Sequence, residues 1–130
     1  MKKTFFALII IAILSSCTKK DDIDVASEIL GTWTWVKSTG GVSGNTETPE
    51  STGKEITLEV TEDTYKRYVD GDLEIELSYF LVNGRSIWTP VITDLLVFED
   101  DSKQSVEMST DKLSLYEECY DCYVHEYIRQ

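Results

Sequence analysis

The sequence has a single histidine, His125, and no basic stripe: 12 lysines and arginines stand against 24 aspartates and glutamates. Nucleic-acid binding therefore has no electrostatic support. His125 has no serine or cysteine beside it in a recognisable nucleophile motif, and no enzyme is expected. From Gly31 onward there is no helical stripe of apolar residues, which argues against a helical bundle. No apolar run is long enough to span a bilayer. The longest, Phe5 to Leu14, has ten residues. It makes about 15 Å of helix against a hydrocarbon core of about 30 Å.

What stands at the N-terminus is a leader. Lys2 and Lys3 precede the apolar run, and Ser15-Ser16 follows it, which is the three-part pattern of a secretory signal over residues 1–16. Leu14-Ser15-Ser16-Cys17 resembles a bacterial lipobox, in which the cysteine is lipidated and becomes the new N-terminus. The resemblance implies lipid attachment at Cys17 through acyl chains such as palmitate. Loss of Lys2 and Lys3 leaves 10 basic and 24 acidic residues, a formal charge of −14 on the mature chain. So acidic a domain is repelled by an anionic lipid surface, so the acyl chains must do the anchoring. Residues 17–25 are polar and read as a flexible tether. Within it, Lys20-Asp21-Asp22 resembles the surface-export signal of lipoproteins in Bacteroidetes-type bacteria. The resemblance implies an outer-membrane lipoprotein facing the cell exterior.

Residues 26–130 alternate apolar and polar positions between closely spaced turn signals, which points to a sandwich or barrel of about eight or nine short strands. Ala26 to Leu30 forms one helical turn ahead of Gly31-Thr32-Trp33-Thr34-Trp35-Val36. Gly40 to Gly53 reads as a long loop, a candidate lid. Ile56, Leu58 and Val60 alternate, and Thr64 to Val69 turns at Asp70-Gly71, a type I′ hairpin dipeptide. Leu73, Ile75, Leu77, Tyr79 and Leu81 are expected on one face of the next strand. Asn83-Gly84 is expected to close it with a second hairpin, returning as Arg85 to Thr89 and ending at Pro90. Leu95 to Phe98, Val106 to Met108, Leu113 to Leu115 and Tyr123 to Arg129 complete the series. Up-and-down closure removes the free edges of such a meander.

Gly31-Thr32-Trp33 on a first strand, after a short turn and before a meander, resembles the small lipocalin-like lipoproteins of Bacteroidetes-type bacteria. The resemblance implies a small antiparallel barrel closed at one end by Trp33, with Arg129 stacked on it. It also implies a small apolar or amphipathic ligand in the barrel mouth. Tyr79, Trp88 and Phe98 are the candidate lining residues, with the 40–53 loop above them. The alternative is a filled barrel acting as a structural or accessory surface protein through protein partners.

Cys119-Tyr120-Asp121-Cys122 is the sharpest local motif. It admits a redox pair, a metal site with His125 and Glu118 or Asp121, or a structural disulfide. Strand-like sequence on both sides supplies no helix for thiol activation, and alternation turns His125 away from the loop. The disulfide Cys119–Cys122 is the preferred reading, with no metal and no cofactor expected. The paired acids Glu74 and Glu76, the run Glu99-Asp100-Asp101, and Asp70 with Asp72 read as a solvated surface.

Overall fold

The computed structural model describes residues 23–130. The leader, Cys17 and Lys20-Asp21-Asp22 lie outside the described residues. A short helix α1 (Val25–Glu28) leads into β1 (Gly31–Gly40), followed by β2 (Asn45–Glu47) and a second short helix α2 (Pro49–Thr52). Then come β3 (Ile56–Val60), β4 (Thr64–Val69), β5 (Asp72–Arg85), β6 (Ile92–Phe98), β7 (Lys103–Met108), β8 (Lys112–Glu117) and β9 (Tyr123–Arg129). All pairings are antiparallel, in the order β2-β1-β3-β4-β5-β6-β7-β8-β9, and β1 also pairs with β9. The result is a closed eight-stranded barrel with β2 as an additional strand.

Turn chemistry accounts for several of the connections. Asp70 and Gly71 both have positive φ, 52° and 84°, as a type I′ turn requires, and Val69 pairs with Asp72 across it. The helix α2 starts with a capping box, in which Thr48 and Ser51 exchange side-chain and backbone bonds. Pro49 fits its first turn, and Gly53 ends it in the left-handed region.

Four expectations are corrected. The 40–53 stretch is not a single loop: it holds β2 and α2, whose polar residues lack any alternation. Asn83-Gly84 is not a turn, because Asn83 pairs with Asp94 and Gly84 with Thr93 inside the β5–β6 ladder. The glycine serves packing instead, since a Cβ there would lie 2.7 Å from Leu95 Cδ1. Arg85 to Thr89 is consequently the end of β5 and the following connection, not a returning strand. Finally, Leu73 leaves the apolar face of β5. Arg67 pairs with Ile75 but Tyr68 with Leu73, so Glu74 is an extra residue, and Leu73 turns outward at 49 % exposure.

β5 is the longest strand, and its two halves serve different neighbours. Residues 72–78 pair with β4, and residues 79–85 pair with β6. Residues 86–88 then fold over the outside of β7 and β8, where Ser86 Oγ meets Ser105 Oγ at 3.2 Å and Glu118 Oε1 at 2.5 Å. That cover buries Leu95 on the outer face while Leu96 and Phe98 face the interior.

The closed end of the barrel is apolar. Trp33, Leu58 and Leu113 are fully buried, and Ile29 caps them from below. Trp33 Nε1 donates to the Ile29 carbonyl at 2.9 Å, satisfying the one polar atom of the ring. The Arg129 guanidinium lies 4.2 Å from the centre of the Trp33 ring and donates to the carbonyls of Leu30, Glu28 and Thr110.

A candidate binding site at the polar end of the barrel

Toward the opposite end, where β1 and β8 finish and β7 and β9 begin, inward positions become polar. Register places Leu96, Gln104 and Glu117 in one row, and Val106, Leu115, His125 and Ser38 in another. These residues follow the same alternation as the apolar core, so their side chains enter the barrel.

A continuous hydrogen-bond chain runs through them. Trp35 Nε1 donates to Ser38 Oγ at 2.8 Å, and Ser38 Oγ lies 2.7 Å from His125 Nδ1. His125 Nε2 lies 3.1 Å from Glu117 Oε1, while the other carboxylate oxygen accepts from the Tyr123 N–H at 3.0 Å. Every member is satisfied when the ring carries its proton on Nε2, with Ser38 donating to Nδ1 and His125 donating to Glu117. The His125 bond is the main cause of the lowered Glu117 pKa. Burial opposes it, and the Tyr123 N–H adds to it.

Two buried polar atoms nearby have no hydrogen-bond partner, Gln104 Oε1 and Arg67 Nε. Arg67 Nε is 3.2 Å from Glu74 Oε2, close enough for ionic attraction but not aligned for a hydrogen bond. Gln104 borders a cavity of about 550 Å³, together with Ser102, Lys103, Glu117, Glu118 and Cys119. Burial raises the pKa of the Tyr65 phenol.

The Cys119–Cys122 disulfide closes the loop between β8 and β9, with Cα atoms 5.5 Å apart. Its backbone abuts the β1–β2 turn. A Cβ at Gly40 would come within 2.2 Å of the Cys122 carbonyl oxygen, and the Gly41 N–H donates to that oxygen at 3.4 Å. Only glycine allows this approach.

No protein-family model matches the chain, and comparison with curated proteins and with solved structures returns no match.

The residues expected to line a ligand pocket are distributed differently. Tyr79 and Phe98 are cross-strand partners and both are buried. Tyr79 Oη donates to the Thr61 carbonyl at 2.6 Å, and Phe98 packs edge-on against Tyr65 with centroids 5.0 Å apart. Trp88 is not with them. It lies over the outside of β8, its Nε1 bonded to the Glu117 carbonyl at 2.8 Å and its ring 6.0 Å from Tyr116. Tyr79 borders a hollow of about 350 Å³ beneath α1, and Trp88 one of about 300 Å³ beside Tyr116. The residues that sequence reasoning passed over are Gln104, Glu117 and Arg67. Their signal was a polar residue at a position where alternation demands an apolar one.

Proposed function

We propose that this chain is a lipid-anchored envelope protein with a lipocalin-like barrel, and that it holds one small amphipathic molecule at its polar end. The leader over residues 1–16 and the lipidated Cys17 account for the anchoring, and Lys20-Asp21-Asp22 for display at the cell surface. The observation that carries the binding reading is a cavity of about 550 Å³ bordered by Gln104, whose side-chain Oε1 is buried without a hydrogen-bond partner. Buried acceptors are ordinarily bonded, and leaving one unmade costs about 1–3 kcal/mol. A ligand bearing a hydroxyl or amine donor that reaches Gln104 Oε1 relieves that cost.

Native mass spectrometry of the mature protein against fatty acids, bile acids and haem tests this. One hydroxyl-bearing ligand per chain is expected, weakened about tenfold or more in Gln104→Leu. Failure of every class to bind would remove the proposal.

A second reading has its own observation. Phe80, Val91 and Ile92 are 73 %, 63 % and 62 % exposed, all on the β5–β6 hairpin or its connection. An accessory protein working through a partner would use such residues. Crosslinking from cells should then recover one reproducible partner, lost on Phe80→Ser.

A further inference from the structure

Glu117 Oε, Cys119 Sγ and Cys122 Sγ lie within 4.8 Å of one another. We infer that the reduced form of this loop is a binding site for a soft divalent cation such as zinc, with Cys119, Cys122 and Glu117 as its three protein ligands. The disulfide holds that site closed.

The donor chemistry fits. Two thiolates separated by two residues, joined by a carboxylate, form a set that zinc accepts in tetrahedral geometry. Glu117 and Cys119 both border the cavity of about 550 Å³, so a fourth position stays open to water or a small ligand. Behind the first ligand stands a built support. His125 Nε2 and the Tyr123 N–H each hold one oxygen of Glu117, and the ring of His125 is itself fixed by Ser38. Such outer contacts orient a metal-binding carboxylate and keep it ionised. The structure also decides which neighbour does not serve. Glu118 is not among the converging groups, its carboxylate being drawn to Ser86 Oγ and the Ile87 N–H. His125, a ligand candidate from spacing alone, acts on Glu117 instead.

The chemical step is a reduction followed by an exchange of protons for metal. A dithiol reductant breaks the Cys119–Cys122 bond, supplies two electrons and two protons, and leaves as its own disulfide. The cation then displaces the two thiol protons and bonds to both sulfurs. In the disulfide form neither sulfur is a thiolate, and the carboxylate alone binds weakly. Occupancy of the site thus reports the redox state of the loop. The inference does not depend on the small molecule proposed for the barrel.

Titration of the mature protein with Co²⁺ under anaerobic conditions tests it, before and after reduction with an excess of a dithiol that is then removed. One Co²⁺ per reduced chain, with sulfur-to-cobalt charge-transfer absorption, is expected, and none with the disulfide intact. Zn²⁺ should displace the cobalt. Glu117→Gln should weaken binding tenfold or more while retaining the sulfur-to-cobalt absorption. Equal binding by the oxidised and reduced chains would overturn the inference, as would equal binding by a folded Glu117→Gln chain. Should Glu117→Gln fail to fold, Cys119→Ser/Cys122→Ser replaces it, and retained Co²⁺ binding by that variant overturns the inference in the same way.

Discussion

Replacing Arg129 with methionine keeps the apolar stem over Trp33 and removes the guanidinium. The ring it covers is fully buried, and the guanidinium carbon sits 4.2 Å from the ring centre. That contact contributes about 1 kcal/mol. The three carbonyls that Arg129 bonds belong to Glu28, Leu30 and Thr110, so the side chain ties α1 and the β7–β8 turn to the end of β9. Bonds from a charged donor are worth more than neutral ones, but the side chain is 32 % exposed and water replaces part of each. Together they contribute about 2 kcal/mol. The expected loss is therefore about 3 kcal/mol, a fall in melting temperature of roughly 13 °C for a domain of this size. Urea denaturation of wild type and Arg129→Met, with the slope held common, measures it. Arg129→Lys should fall between the two, since it keeps the charge but not the fork. Glu28→Gln should cost less than about 0.5 kcal/mol, because that ion pair is long and exposed. A loss below about 0.5 kcal/mol for Arg129→Met would refute the reasoning, for it would mean that water serves the three carbonyls equally well.

Other expectations follow from the same geometry. Gly40→Ala should destabilise the domain by more than about 2 kcal/mol by thermal melting, because its Cβ meets backbone that cannot move without opening the disulfide loop. Gly84→Ala meets only the flexible end of Leu95 and should cost about 1 kcal/mol in the same assay. Reducing Cys119–Cys122 should cost at most about 2 kcal/mol in metal-free buffer, since so short a loop restrains the unfolded chain little. Burial raises the pKa of Tyr65 and raises that of Tyr127 well above 10.0. The folded state keeps both protons after the unfolded state has lost them. Their contribution is full below pH 10 and is lost as pH rises through the folded values. Denaturation midpoints should thus fall on the alkaline side, less steeply in Tyr127→Phe.

Much of the fold was legible because inward and outward residues alternate cleanly where one face is apolar. Ile56, Leu58 and Val60 show it, and Asp70-Gly71 names its own turn by needing positive φ twice. The same rules failed where a residue did another job. Asn83-Gly84 has the composition of a tight turn, but the glycine is used for the space it leaves to Leu95, and composition alone cannot separate the two uses. β2 and α2 were hidden because neither buries a face, so no periodicity marks them. The polar end of the barrel was illegible for a related reason. Gln104, Glu117 and Arg67 occupy inward positions, yet a polar residue at such a position looks like a turn or an exposed edge until the register is known. Aromatic residues drew attention to Tyr79, Phe98 and Trp88, and two of these are packed in the core while the third is outside it.

The division of β5 between two partners also bears on how the chain reaches its native form. Each neighbouring pair from β3 to β9 is joined by a short connection, so those ladders zip from local contacts at little entropic cost. The seam between β1 and β9 is different in kind, because it joins Trp33 to Arg129 across nearly the whole domain. Long-range pairings of this sort form slowly. Until the seam closes, β1 and β9 each present an unpaired edge, the form of strand most prone to recruit another chain. The arginine that docks on Trp33 is thus the latch of the final step, and its removal lengthens the interval during which the nascent sheet is open to self-association.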